Sequence, residues 1–373
     1  MDTLAHALLK PQAVTIAGNR PEIIKLSELV KSAGDHFENL FVYSGQHYSK
    51  NMSEDFFKEL GLKTDYNLGC CTSNPVVLTK NIRDFLIHVD PKCVILYGDT
   101  NTTLSAALAA RMINCKIIHI EAGLRCFDQT LIEERNRIKI DSISDYLFAP
   151  TDLNKVFLEF ENVPDNRITV TGNLIVDVCK KYSQESASSI VNGLPKEYLL
   201  LTIHRQENVD DPRKLKILVD FLSKLKYTIV FPIHPRTRNN LNIHGVVLPS
   251  NVNTIDPVSY GQFLYLLNNS KLVMTDSGGV QEEAAVLKKP CITLRSSTER
   301  QETLLIGANR LFYPFDKSII DTDLVNNLVQ EMLSVKILTN PYGEEVTKRM
   351  LLSLRQIIDS NSNEVVLKQQ LIQ

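Results

Sequence analysis

Leu272-Val273-Met274-Thr275-Asp276-Ser277-Gly278-Gly279-Val280-Gln281-Glu282-Glu283 holds the unit from which the whole chain is built. Leu272 to Thr275 is a short apolar run of strand type, the Asp-Ser-Gly-Gly step ends it, and Gln281 to Glu283 continue onto the first turns of a helix. Strand, tight turn and helix in that order are the repeat of a parallel sheet covered by helices. The paired glycines leave successive backbone N–H groups free to face an anion at a helix N-terminus. An acid beside an anion is unfavourable, so Glu283 reads better as an acceptor for a sugar hydroxyl. Ser-Gly-Gly alone occurs in many loops. Its weight comes from Asp276 before it, Gln281-Glu282-Glu283 after it and the polar segment Arg295 to Glu302 beyond the next apolar run.

Working outward, the same alternation fills the chain and makes the class α/β. The first half predicts strands near Ala13–Ala17, Leu40–Tyr43, Val94–Tyr97, Ile117–Ile120, Tyr146–Ala149 and Ile168–Thr171. The second predicts Tyr198–Ile203, Thr228–Phe231, Val252–Ile255, Leu272–Thr275 and Cys291–Leu294. Between them Cys179 to Ser189 is polar and serine-rich, a hinge by composition. The expected organisation is a Rossmann-like domain over 1–178 and a second over 179–345, facing each other across a cleft. A tail over 346–373, with Leu351, Leu354 and Ile358 at helical spacing, is expected to pack across both.

At 373 residues the chain exceeds one ordinary core and suits two domains. It is 43% hydrophobic and 23% charged, and no run approaches the roughly 18 apolar residues of a membrane span. Met1 to Gln12 lacks the basic and apolar regions of a secretion signal, so a cytoplasmic location is expected. A net charge of −2 provides no field for nucleic acid. The seven cysteines are odd in number and show no metal-ligand spacing, so reduced thiols and no metal are expected.

Ligands of open α/β sheets bind beyond the carboxyl ends of the strands, and the polar residues concentrate there. After the first strand, Ala17-Gly18-Asn19-Arg20-Pro21-Glu22-Ile23-Ile24-Lys25 places a glycine turn, a proline for the first helical turn and two cations at a helix start. Read alone, that is a pyrophosphate cradle or an ordinary turn with solvated charges. No GxGxxG follows, which argues against a nicotinamide cofactor. After the next apolar strand comes Gly98-Asp99-Thr100, where Asp99 is either a functional carboxylate or a helix cap. His119-Ile120-Glu121-Ala122-Gly123-Leu124-Arg125 brings Glu121 to the same edge, and Ile132-Glu133-Glu134-Arg135-Asn136-Arg137 adds carboxylates and arginines. In the second half, His204-Arg205-Gln206-Glu207-Asn208 follows the first strand. His234, after the next one, reads as structural or interfacial.

In that order these segments, from about Ala17 to Arg310, resemble the non-hydrolysing UDP-N-acetylglucosamine 2-epimerases. The motifs that carry the likeness are Gly18-x-Arg20-Pro21-Glu22-x-x-Lys25, Gly45-Gln46-His47, Gly98-Asp99-Thr100, Glu121-Ala122-Gly123-Leu124-Arg125, Glu133-Glu134-x-Asn136-Arg137, Gly172-Asn173, His204-Arg205-x-Glu207-Asn208, Asp276-Ser277-Gly278-Gly279-x-Gln281-Glu282-Glu283 and Thr298-Glu299-Arg300. The resemblance implies a two-lobed fold of the glycosyltransferase B type, usually a homodimer, acting on a UDP-sugar without metal or nicotinamide. It also implies catalytic roles for Asp99, Glu121, Glu133 and His204. Arg20 and Lys25 would meet the diphosphate, Ser277, Gly278, Gly279 and Glu283 the phosphates and ribose, and Phe263 the uracil, with Arg137, Arg205 and Arg300 completing the substrate contacts.

Asn19 stands where the family usually has threonine, Ile132 where a proline precedes the paired glutamates, and Gln301 where a proline follows Thr-Glu-Arg. Some bacterial relatives bind a second UDP-sugar near the positions of Gln46 and His47, but the full set for that site is missing from this sequence. Within the family the sugar could also be UDP-2,3-diacetamido-glucuronate or a 6-deoxy N-acetylhexosamine. A glycosyltransferase of the same fold is the alternative from another class, disfavoured by the clustered carboxylates.

Overall fold

In a computed structural model, residues 12–45, 56–183, 193–317 and 319–370 are described, the last helix with side chains to 360. Gln46, His47 and the serine-rich 184–192 lie outside them. The chain divides into two units, one running to Val178 and resuming at Gly343, the other spanning Cys179–Tyr342.

The first unit is built on strands β1 (Ala13–Ala17), β2 (Asn39–Tyr43), β3 (Tyr66–Asn67), β4 (Cys93–Tyr97), β5 (Lys116–Ile120), β6 (Tyr146–Ala149) and β7 (Ile168–Val170). They form one sheet in the order β3-β2-β1-β4-β5-β6-β7, with every pair parallel. Every residue of β1 and β4 is buried, as unbroken apolar runs demand when helices cover both faces. Helix Asn101–Met112 packs on helix Pro75–Val89 through Ala106, Ala107, Ala109 and Ala110, whose small side chains permit a close approach. The final helix, Val346–Gln370, lies against helix Arg20–Ala33 of the same unit. It buries Met350, Leu351, Leu354 and Ile358, and Asp177 accepts the Thr347 N–H at 2.6 Å.

The second unit carries β8 (Leu199–Thr202), β9 (Ile229–Pro232), β10 (Val252–Ile255), β11 (Leu272–Thr275), β12 (Cys291–Thr293) and β13 (Asn309–Leu311). Its sheet is again parallel, ordered β10-β9-β8-β11-β12-β13. Leu201, Phe231, Met274 and Ile292 fill its core, together with Phe221 stacked 5.4 Å from Phe312.

Each predicted strand is present within a residue or so at either end. The two edge strands β3 and β13 were not anticipated: at two and three residues, with polar members, they are too short for any periodicity to register. Strand order reverses between β1 and β4 in one sheet and between β8 and β11 in the other. Crevices open at such reversals. The segments after β1, β4, β8 and β11 are the motifs singled out in the sequence.

Candidate active site

In the first unit, helix Arg20–Ala33 starts directly after β1 with Asn19 as its cap, accepting the Glu22 N–H at 2.9 Å. Glu22 returns the favour, taking the Gly18 N–H at 2.6 Å and the Asn19 N–H at 3.3 Å, a reciprocal capping box. The Thr103 hydroxyl also donates to it at 3.1 Å. Burial pushes the Glu22 carboxyl up to about 7 in spite of those bonds, and nearby Asp99 adds to the rise. Gly18 is needed for approach rather than for its backbone angles: a Cβ there would sit 2.2 Å from Thr102 Oγ1. Arg20 is exposed at the helix start, its guanidinium 4.6 Å above the Phe56 ring. Lys25 is buried, and its ammonium donates to Glu121 Oε1 at 2.6 Å.

Glu121 is therefore a held carboxylate. Its Oε1 also accepts the Tyr97 hydroxyl at 3.1 Å, and only 5% of the residue is exposed. Its backbone is left-handed, with φ at +72°. For a side-chain-bearing residue that costs roughly 1–3 kcal/mol and persists where the surroundings enforce it.

Asp99 does not cap the next helix. Thr100 does, accepting the Thr103 N–H at 3.2 Å. Asp99 is instead paired with Arg137, which also holds Glu134. Asn136 donates to the Asp99 carbonyl at 3.0 Å and to Asn101 at 3.1 Å, so helix Ile132–Ile143 fixes the loop after β4. The paired glutamates divide. Glu134 is fully buried and accepts the Cys126 and Phe127 N–H groups at 3.0 and 2.9 Å, whereas Glu133 is exposed.

In the second unit the organising group is Asp276, wholly buried at the end of β11. It accepts the His204 and Arg205 N–H groups at 3.2 and 2.9 Å and the Asn208 amide at 3.0 Å. Its carboxylate also lies 3.4 Å from His204 Nδ1, while the His204 ring is 46% exposed and so presents its far side to solvent. Arg205 is partly exposed, 3.6 Å from Glu207. His234 caps helix Pro235–Ile243 by accepting the Arg236 N–H at 3.2 Å, a structural use. Burial, with the charges of His204 and Arg236, holds its imidazole below the ordinary range.

Ser277 stands at the cap position of helix Gly278–Val286, yet its hydroxyl makes no cap bond. Its carbonyl takes the Gln281 amide at 3.2 Å, and the Gln281 oxygen is gripped by Thr298 at 2.7 Å and Asn309 at 3.0 Å. A Cβ on Gly278 would come within 2.8 Å of Glu299 Oε1, so the turn lies directly on the loop after β12. At Gly279 the same atom would meet nothing closer than Ser277 Oγ at 4.0 Å. Arg300 is buried against this turn, donating to Glu282 at 2.9 Å and to Glu299 at 2.6 Å. Glu283 is buried and accepts the Tyr260 hydroxyl at 3.0 Å, and Phe263 is partly exposed on the same helix, Tyr260–Asn269.

Residues 30–354 match the sequence family described as UDP-N-acetylglucosamine 2-epimerase. The chain belongs to that family. It is 42% identical to the UDP-N-acetylglucosamine 2-epimerase of Methanocaldococcus jannaschii over 317 residues, 79% of this chain and 87% of that one. It is 40% identical to the UDP-2,3-diacetamido-2,3-dideoxy-D-glucuronate 2-epimerase of Pseudomonas aeruginosa over 310 residues, 80% of this chain and 87% of that one. The fold is that of the M. jannaschii UDP-GlcNAc 2-epimerase crystallised with UDP-GlcNAc and UDP, at a TM-score of 0.83 and 37% identity, covering 92% of this chain and 99% of the other. Both chains share the two parallel sheets of the glycosyltransferase B type.

Lys25 engages a carboxylate, and Arg300 is enclosed by two of them. Sequence reading passed over Asp276 as an organiser of His204. Its position at the end of an apolar strand, immediately before the glycine turn, was the available signal. Glu22 is a second such residue, and its capping-box spacing to Asn19 is legible in the sequence.

Proposed function

We propose that this protein interconverts UDP-N-acetylglucosamine and UDP-N-acetylmannosamine by elimination and re-addition of UDP. The observation that carries the reading is the contrast between an anion-ready helix start at Ser277-Gly278-Gly279 and a set of held carboxylates at Asp99 and Glu121. A C2 proton on a pyranose has no neighbouring carbonyl to acidify it. Loss of UDP from C1 does so instead. The C1–O bond breaks with its electrons on the β-phosphate, a base takes the C2 proton, and C1=C2 forms in a 2-acetamidoglucal. Protonation of C2 from the opposite face and return of the phosphate oxygen to C1 give the epimer.

Two demands follow: stabilised charge on the departing diphosphate, and an acid or base on each face of C2. Backbone N–H groups at Ser277 to Gly279, with Arg20, Arg205 and His204, suit the first. Asp99, Glu121 and Glu133 suit the second, with Lys25 holding Glu121 in place and Arg137 orienting Asp99. Glu283 and Phe263 would take the ribose and uracil, and the buried Arg300 would support the turn. Assembly as a homodimer rests on the family resemblance. The free cysteines favour a cytoplasmic location.

The 40% identity to a diacetamido-glucuronate epimerase supports a second reading in which only the sugar differs. Incubation without NAD separates the two. Conversion of UDP-N-acetylglucosamine to its C2 epimer supports the first reading, and turnover of the diacetamido-glucuronate alone supports the second. Turnover of neither sinks both.

A further inference from the structure

Beneath the two carboxylate loops of the first unit lies a charged cluster that the chemistry above does not use. His119, on β5, is wholly buried. Its Nδ1 lies 2.7 Å from Asp141 Oδ1 and its Nε2 lies 2.8 Å from the Gly98 carbonyl. Both neighbours are acceptors, because the other oxygen of Asp141 already takes the Gly123 N–H at 3.1 Å and faces Arg125 at 2.8 Å. Arg125, itself buried, forks onto Glu161 at 2.6 Å through both Nε and Nη2. A carbonyl cannot donate, so Nε2 must carry a hydrogen, and Nδ1 shares one with Asp141. Burial drives the Asp141 carboxyl up, but His119 and Arg125 together hold it below the ordinary range.

The bonds made by this cluster end on the loops that matter. Gly98 precedes Asp99, and Gly123 closes the turn in which Glu121 is held left-handed. We propose that His119, bonded at once to Asp141 and to the Gly98 carbonyl, is a positioning residue that sets the loops carrying Asp99 and Glu121 in register for proton transfer at C2. This rests on the carboxylate roles assigned above. Acid–base transfer tolerates little displacement, and misplacement by about 1 Å costs on the order of 100-fold.

The test compares His119→Asn, His119→Gln and Asp141→Asn in the full chain, measuring kcat and KM for UDP-N-acetylglucosamine alongside the thermal midpoint. An asparagine amide reaches the Nδ1 position, whereas a glutamine amide reaches Nε2 and can keep the Gly98 bond. The expected result is a kcat loss of about 10- to 100-fold in His119→Asn and Asp141→Asn, a smaller loss in His119→Gln, and KM within about 3-fold of wild type throughout. Nitrogen-15 spectra of the wild-type protein are expected to show hydrogen on the His119 Nε2 that faces the Gly98 carbonyl, a readout that survives if a variant fails to fold. An Nε2 without hydrogen, an unchanged kcat in His119→Asn, or a kcat loss explained by unfolded protein overturns the proposal. If Asp99→Asn and Glu121→Gln also keep wild-type turnover, the carboxylate reading itself has failed. If they are inactive while the His119 variants are normal, only this inference falls.

Discussion

The two units solve opposite electrostatic problems with the same strand order. In the first, the polar groups after the strands are charged side chains locked in pairs: Lys25 on Glu121, Arg137 on Asp99 and Glu134, His119 on Asp141. In the second, the turn after β11 offers bare backbone, with charge kept underneath it in Arg300, Glu282 and Glu299. Side chains that must move protons need their protonation state and direction fixed, and paired charges do that. A turn that must receive a doubly charged anion works better with dipoles that cost nothing to reorganise. Changing the carboxylates of the first unit and the turn of the second is thus expected to separate catalysis from grip.

The largest effect should come from the first unit. Asp99→Asn and Glu121→Gln are expected to lower kcat by about 100- to 10,000-fold, the range for loss of a positioned acid or base, with the Kd for UDP within about 3-fold of wild type. Calorimetric titration of UDP into each variant checks the separation, and a matching loss of UDP affinity would erase the division of labour.

A smaller effect marks the buried charge of the second unit as scaffold. Burial pushes the Glu302 carboxyl from 4.5 up to about 7, against a hydrogen bond from Tyr342 at 2.7 Å. The folded state therefore holds a proton that the unfolded chain releases between those values. Stability is fully retained below pH 4.5 and declines as pH rises through 7, by up to about 3 kcal/mol. Glu302→Gln removes the ionisation, so its unfolding midpoint in urea should gain on wild type between pH 5 and pH 8 while turnover stays constant. Parallel pH profiles for the two proteins would show that Glu302 does not titrate in this range.

The smallest effect concerns one hydroxyl. Ser277 occupies a cap position without capping, so Ser277→Ala should leave the thermal midpoint unchanged while weakening UDP binding by about 5-fold, the worth of one hydrogen bond. An ordinary cap would show the reverse, a loss of stability with binding intact.

The strands were legible because buried parallel strands are written as continuous apolar runs, and the site segments because loops at their carboxyl ends must be polar. What each polar side chain does there was legible only in part. Thr100, not Asp99, caps its helix, Glu134 rather than Glu133 is buried, and Lys25 reaches a carboxylate far along the chain. These outcomes depend on partners distant in sequence, such as Glu121 for Lys25 and Asp141 for His119, which no local spacing reveals. Gly18 makes the same point: its conformation is ordinary, and only the approach of Thr102 excludes a side chain there.

The central claim is that UDP leaves C1 so that C2 can lose its proton. Incubating the protein with UDP-N-acetylglucosamine alone in D2O and examining recovered UDP-N-acetylmannosamine by mass spectrometry and proton NMR tests it directly. The account predicts one deuterium per epimer, located at C2. Epimer formed with its original C2 hydrogen intact would contradict it.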